Sequence, residues 1–516
     1  MQTEKEYNAG REISAVRCES VGEYSLPDYN GDVKKILLVK TRVLPSGSFV
    51  GEDSLEFSGS VGYDVVYIDA ENTVTHAEFS TDYDAAMRIN SEKYVDSDIY
   101  TAVSSCNVRL IGPRKFSVKA ILDSKVSLSE RRTDAIGGDA FMQYDPEYMS
   151  DVARVITMSF ASGEARDVSE DILDLDGAIA DEVEVLLCEV TPKVEISDKT
   201  DHGVTLKGDL WVSMLYRNGS ETLMLIGRNI PYSEEIYMDG ACDFDNLDAR
   251  LDMMSVKGNA TPTDEGVKLS VLMKVQPKVV GKGNLQIDLI TDAFLKERET
   301  VNEYTDFGYT EHVCSVSDEE RYEHTEAMGE DEHGTINDIL YVDASVRADE
   351  CENLDNSVKI SGEIRFSAVA CQVLEDGSTV CVPIKITAPF EQNVNTNCQI
   401  YDNMHTNCHV EARDVRMEID GNHIVATCTL IASVSVSADR RRRCLGASYV
   451  TDEEYARDES VVTVYYPDAS ESLFEIAKKF HTSPRAIAES NKLTETVFAA
   501  SGTPLGTFGV GKLLIK

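Results

Sequence analysis

One strand-like segment occurs three times in this chain, at a spacing of about 150 residues. The first copy carries Leu55, Phe57, Gly59, Val61, Tyr63, Val65 and Tyr67 at every second position. The second carries Val204, Leu206, Gly208, Leu210, Val212, Met214 and Tyr216, and the third Val358, Ile360, Gly362, Ile364, Phe366, Ala368 and Ala370. Mostly polar residues fill the places between, such as Glu56, Ser58 and Asp64 in the first copy and Lys359, Glu363 and Arg365 in the third. Side chains of a β-strand alternate between its two faces. Seven apolar positions at period two therefore put one face in a core and turn the other towards water. A glycine at the same place in each apolar face predicts a bulge or a close approach of a neighbouring backbone. Three copies at one spacing predict a tandem array of β domains, an organisation suited to holding partners.

A second recurring landmark closes each copy. Asp139-Ala140-Phe141, Asp292-Ala293-Phe294 and Ala447-Ser448-Tyr449 lie 153 and 155 residues apart. Each follows a further alternating run: Phe116-Val118-Ala120-Leu122, then Val267-Leu269-Val271-Met273-Val275, then Ile424-Ala426-Cys428-Leu430-Ala432. Turn signals such as Arg217-Asn218-Gly219, Glu375-Asp376-Gly377 and Asp420-Gly421-Asn422 separate the strands. The expected fold is mainly β, with three tandem antiparallel sandwich or barrel-like domains, and 516 residues suit that number. The expected division is an N-terminal lead-in over 1–25, β repeats over 26–142, 169–296 and 336–450, a linker over 143–168, an acidic linker over 297–335, and a distinct C-terminal unit over 459–516. Within the acidic linker, Ser315–Thr335 holds Asp318-Glu319-Glu320 and Glu330-Asp331-Glu332, which predicts solvated chain. The stretch Ala161–Asp176 reads as a lead-in packed on the next domain.

With 91 acidic and 49 basic residues the formal charge is −42, which disfavours nucleic acid and anionic membrane surfaces as partners. Met1–Val21 shows no apolar signal segment, and apolar runs such as Ile36–Val39 are too short to span a bilayer. The expectation is a cytoplasmic protein. Its twelve cysteines follow no paired spacing and read as reduced thiols.

The last residues change character. Ser472-Leu473-Phe474-Glu475 has the form of a capping box, and Leu473, Ile476, Ala477 and Phe480 follow helical spacing. Ser483 and Pro484 open a second helix that carries Ile487 inward and stops at Asn491. Val461-Val462-Thr463-Val464 and Lys512-Leu513-Leu514-Ile515 read as strands on either side, giving a β-α-α-β module.

These tail residues, with Asp468, Leu493 and Gly511, resemble a LysM domain. Two departures stand out: the turn Pro467-Asp468-Ala469-Ser470-Glu471 lacks the family's glycine, and an insertion, Thr494–Gly506, precedes the closing strand. Both touch the region where LysM modules grip N-acetylglucosamine chains. Upstream, Leu26-Pro27-Asp28-Tyr29, Asp32-Val33, Ile36-Leu37, Gly59 to Tyr67 and Thr291-Asp292-Ala293-Phe294 resemble SPOCS domains. Three SPOCS-like units followed by a LysM-like tail are similar to clostridial spore-envelope morphogenesis proteins. The resemblance implies a sporulation role in the mother cell, as a scaffold for coat assembly at the forespore surface that binds the coat ATPase SpoIVA. It also leaves open the alternative of a peptidoglycan-binding LysM protein of wall or cortex.

Motifs for chemistry are sparse. Gly281-Lys282-Gly283 lacks the remainder of a phosphate-binding loop and reads as a turn. Neither a Gly-x-Ser-x-Gly elbow nor a His-Glu-x-x-His pair occurs. Cys398, His405, Cys408 and His409 have ligand chemistry but no Cys-x-x-Cys anchor, and read as local structure in preference to a metal site. The run Arg440-Arg441-Arg442-Arg443 reads as a solvated strand end, with a grip on a partner or a neighbouring acidic domain as the rival reading. The chain is thus expected to be a non-enzymatic adaptor without cofactor, metal or catalytic residues. Its expected partner-binding residues border the LysM-like groove: Asp468, Ser470, Phe474, Asn491, Lys492 and Leu493, with Phe474 as an exposed aromatic anchor.

Overall fold

The computed structural model describes residues 4–28, 30–51, 53–89, 94–135, 143–219, 223–328, 334–455 and 462–515. It is mainly β, with antiparallel sheets throughout. Strands β1 (Glu4–Ser25), β2 (Val33–Val50), β3 (Ser54–Asp69), β4 (Val74–Arg88), β5 (Tyr94–Gly112) and β6 (Lys115–Ala135) form two sheets, ordered β1-β6-β5 and β2-β3-β4. The next are β7 (Glu147–Ser162), β8 (Arg166–Asp176), β9 (Val183–Thr200), β10 (Gly203–Asn218), β11 (Leu223–Tyr237), β12 (Asn246–Pro262) and β13 (Gly266–Phe294). They repeat the plan as β7-β13-β12 and β9-β10-β11, with β8 added against β13. A third round follows in β14 (Arg298–Ala327), β15 (Gly334–Leu354), β16 (Ser357–Leu374), β17 (Thr379–Asn395), β18 (His405–Asp420) and β19 (His423–Glu454). Its sheets are β14-β19-β18 and β15-β16-β17.

In each round the two sheets enclose one hydrophobic cluster. The alternating segments are the middle strands β3, β10 and β16, and every large apolar side chain of their predicted inner face is buried. These sheets are open layers, so the barrel-like form is not adopted. The recurring glycines mark close backbone approach. A Cβ on Gly59 would lie 2.6 Å from the Leu44 carbonyl oxygen, and one on Gly362 would overlap the carbonyl of Arg347. The register slips beside both, between Pro45 and Gly47 and between Ala348 and Glu350.

Three segments expected as connectors are strands instead. The lead-in 1–25 contains β1, paired with β6 along its length, and the linker 143–168 contains β7, paired with β13. The acidic linker 297–335 contains β14, thirty residues long and matched to β19 from Arg298 to Ala327. Its charged residues alternate with half-buried ones such as Val316 and Tyr322, which rest on the third cluster; backbone pairing to a buried neighbour outweighs its polar composition. Ala161–Asp176 likewise belongs to the second round, through β8. Asp139-Ala140-Phe141, Tyr29, Glu330-Asp331-Glu332 and Val461 lie outside the described residues.

The last segment comprises β20 (Thr463–Tyr465), α1 (Leu473–Lys479), α2 (Pro484–Asn491), α3 (Glu495–Ala499), a 3₁₀ turn (Leu505–Phe508) and β21 (Leu513–Ile515), with β20 and β21 antiparallel. Among the described residues no helix is long and apolar enough to cross a membrane.

Candidate functional site

The tail is ordered by its caps. Ser472 Oγ accepts from Glu475 N–H while Glu475 Oε2 accepts from Ser472 N–H, satisfying free donors at the start of α1. Ser483 Oγ does the same for Ala486 N–H at the start of α2, where Pro484 occupies the first turn. Lys492, in the left-handed region at φ 52°, ends α2. Leu473, Ile476, Ala477, Ile487, Leu513 and Ile515 close the core beneath.

Phe474 was expected at the surface and is 1% exposed. Its ring meets Phe294 edge-on at 5.2 Å between centroids, in a cluster that also takes in Met149. Beside it, Lys478 Nζ lies 2.7 Å from both carboxylate oxygens of Asp292. The recurring Asp292-Ala293-Phe294 landmark therefore seats the tail, and Phe474 is one of the seating residues, because an aromatic on the helix flank found a complementary aromatic at the end of β13.

The other five expected residues divide. Asn491 is occupied structurally: its amide donates to the carbonyls of Ile487 and Leu514 at 2.8 and 2.7 Å and accepts from Leu514 N–H at 2.6 Å, tying α2 to β21. Leu493 rests against the tail core. Asp468, Ser470 and Lys492 are exposed. The insertion lies directly on the turn that carries the first two. Leu505 N–H donates to Glu471 O at 2.8 Å, Gly506 N–H to Ala469 O at 3.2 Å, and Phe474 N–H to Ser501 O at 2.9 Å.

No family model, curated protein or solved structure matches the chain. On the face of the small sheet away from the tail core, Val464 and Leu514 stand opposite one another in register. They are 47% and 37% exposed, flanked by Val462 at 51% and Tyr466 at 68%. This apolar face was missed as a site, although alternation in Val462, Val464 and Tyr466 was its signal.

A second constellation joins the three sheet pairs. Leu37, Leu38 and Val66 of the first meet Leu186, Leu187 and Leu215 of the second and Tyr341 and Val369 of the third in one buried cluster. Tyr7, Ala9, Ala153, Val155, Phe307 and Tyr309 form another, with contributions from β1, β7 and β14. Charged residues of the first pair hold the same junction. Lys40 Nζ lies 2.6 Å from Glu189 and 2.6 Å from Asp343, and Tyr341 donates to Glu189 at 2.7 Å. Burial works against the Lys40 charge, but the two carboxylates hold its ammonium above the ordinary lysine value. Burial and the nearby Glu189 charge leave the Asp343 carboxyl raised.

Glu12 gathers Lys282 at 2.6 Å, Lys125 at 3.6 Å and the Asn407 amide at 3.0 Å, one from each sheet pair. Burial opposes its ionisation, yet Lys125 and Lys282 outweigh it and hold the carboxyl down to about 2. Arg250 completes the junction with two bonds to Asp98, at 2.8 and 2.7 Å. A cavity of about 920 Å³ opens beside Lys40, Asp98 and Asp343, lined by residues of β2, β5 and β12 and by parts of β15, β16 and β17. The sequence signal for the junction was the segment before each long strand. Leu37-Leu38-Val39-Lys40, Leu186-Leu187-Cys188-Glu189 and Leu340-Tyr341-Val342-Asp343 put one cation and two anions at matching places.

The remaining candidates resolve separately. Lys282 sits inside β13, 3% exposed, so Gly281-Lys282-Gly283 is strand and not turn. Cys398 contacts Cys314, His405 pairs with Asp439, Cys408 shares a hydrogen bond with Cys351, and His409 meets the Tyr100 ring, so the four side chains face four different partners. Arg440 pairs with Glu311, Arg442 with Asp151 of β7, and Arg443 lies over the Tyr304 ring at 4.2 Å. The arginine run thus binds neighbouring strands, one of them in the second sheet pair.

Proposed function

We propose that this chain is a non-enzymatic spore-envelope morphogenesis adaptor of the SipL kind, with three SPOCS-like domains and a LysM-like tail, which binds the coat ATPase SpoIVA and helps to encase the forespore from the mother-cell side. The observation that supports a protein partner for the tail is the apolar face of Val462, Val464, Tyr466 and Leu514, open to solvent on the side of the small sheet away from the tail core. An exposed tyrosine among aliphatic neighbours is a typical energetic centre of a protein contact. The insertion bonded to the Ala469–Phe474 turn alters the side on which LysM modules hold sugars, which weighs against the peptidoglycan alternative. The three sheet pairs, locked at their common junction, would present fixed outer surfaces to further coat proteins.

The test uses the full chain with purified coat ATPase and, separately, insoluble peptidoglycan. Saturable ATPase binding that weakens roughly tenfold or more in Tyr466→Ala, with unchanged circular dichroism, is the expected result. Binding to peptidoglycan with none to the ATPase overturns the proposal.

A further inference from the structure

The adaptor reading uses none of the chain's thiols, and all twelve cysteines are free. Half of them nevertheless stand in facing pairs, and all three pairs lie in the third sheet pair. Cys314 on β14 and Cys398, in the segment between β17 and β18, place their sulfurs 2.8 Å apart across 84 residues of sequence. Cys371 and Cys381 are directly opposite on β16 and β17 and share a thiol hydrogen bond. Cys351 on β15 and Cys408 on β18 share another, across the seam between the two sheets.

Bridging needs Cα atoms roughly 4.4–6.8 Å apart. Directly opposed residues of an antiparallel pair stand at about 4.5–5.5 Å, so the cross-strand pair meets that requirement without backbone movement. The three pairs also join three different seams: strand to connecting loop, strand to strand, and sheet to sheet.

We infer that the third sheet pair is a redox-closable unit, in which Cys314–Cys398, Cys351–Cys408 and Cys371–Cys381 become intrachain disulfides when the chain meets a disulfide oxidant such as oxidised glutathione. Each closure takes two exchanges. A cysteine thiolate attacks one glutathione sulfur and expels the other as a thiolate, leaving a mixed disulfide on the protein. The facing cysteine then attacks the protein-side sulfur and expels the second glutathione. Two protein thiols lose two protons and two electrons, and one oxidised glutathione becomes two reduced ones.

The seam pair closes first. Cys351 is exposed, and the hydrogen bond from Cys408 holds its thiol below the ordinary value, which favours the attacking thiolate. The four cysteines of the other two pairs are only partly exposed, and burial pushes Cys314 and Cys381 up to about 12, which lowers their share of attacking thiolate. A disulfide across each seam would restrict the unfolded chain and slow its opening. This inference does not depend on the tail's partner.

The full chain is incubated with oxidised glutathione, denatured in an alkylating reagent, and its thiols counted. The expected titre falls to half of the twelve, and peptides mapped without reduction join the three named pairs, 351 to 408 earliest. A full titre after prolonged oxidation, unresolved glutathione adducts at these cysteines, or disulfides to other partners would each overturn the inference. In Cys351→Ala, an exposed change that spares the core, Cys408 is expected to stay out of any intrachain disulfide while the other two pairs still close. A Cys408 disulfide to another cysteine of the same chain overturns the assignment.

Discussion

Phe474 and Glu12 show how much one residue's surroundings decide. By spacing, Phe474 lies off the stripe of Leu473, Ile476 and Phe480, yet it is buried in the same cluster as that stripe. The stripe does not reveal that a second surface, Phe294 and Met149, covers the helix flank. Phe474→Ala should therefore destabilise by about 3–5 kcal/mol, as buried aromatic truncations do, with loosening of the contact to Asp292-Ala293-Phe294. Denaturant unfolding of the variant checks this; a change below about 0.5 kcal/mol would return Phe474 to the surface. Glu12 carries the acid sensitivity of the junction. Its folded value, about 2, lies below the ordinary 4.5, so the unfolded chain binds the extra proton. Stability from this group is present above about pH 4.5 and is lost as pH falls towards 2. Glu12→Gln should show a shallower loss over that window, and should be less stable at pH 7 because buried Lys282 loses its closest carboxylate and keeps only Asp248, at 3.7 Å. Equal acid slopes in the two proteins would refute it.

At the scale of elements, β14 is the instructive case. Its composition is that of solvated chain, yet its backbone is paired with β19 over nearly its whole length. Hydrogen exchange distinguishes the two states: amides bonded to β19 between Asn302 and Glu326 should exchange slowly, with protection comparable to β19 itself. Exchange of all of them within seconds would mean unpaired chain. The long alternating strands, their turns and both helix caps were legible because each depends on residues a few places apart. Period two, a glycine with positive φ at 219, 377 or 421, and Ser472 three residues before Glu475 are local signals. β1, β7 and β14 were not legible, since an edge strand with half-buried polar residues takes its structure from a partner far along the chain.

Across the whole molecule, the first sheet pair supplies two hubs, Lys40 and Glu12, that reach both others. Glu189 and Asp343 come from the second and third pairs and share the one ammonium of Lys40. Lys40→Met leaves two half-buried carboxylates facing each other without the cation that bridges them. The expected cost is about 1–3 kcal/mol, below that of a fully buried pair because both carboxylates keep some contact with solvent, seen as a lower thermal midpoint that affects the three sheet pairs together. A change confined to the first pair, or none, would mean that the pairs behave as independent beads.

Local periodicity determined, by itself, that the chain is mainly β, which faces of β3, β10 and β16 are inward, where the turns fall and where the tail helices begin. Tertiary structure alone decided what covers the opposite faces. Val66, Leu215 and Val369 lie on the side expected to meet water, and all three are fully buried at the common junction. The reason is physical. Alternation reports that a strand has two unlike faces, a property of neighbouring residues, whereas burial of the second face depends on matching surfaces and charges brought together from strands more than a hundred residues apart.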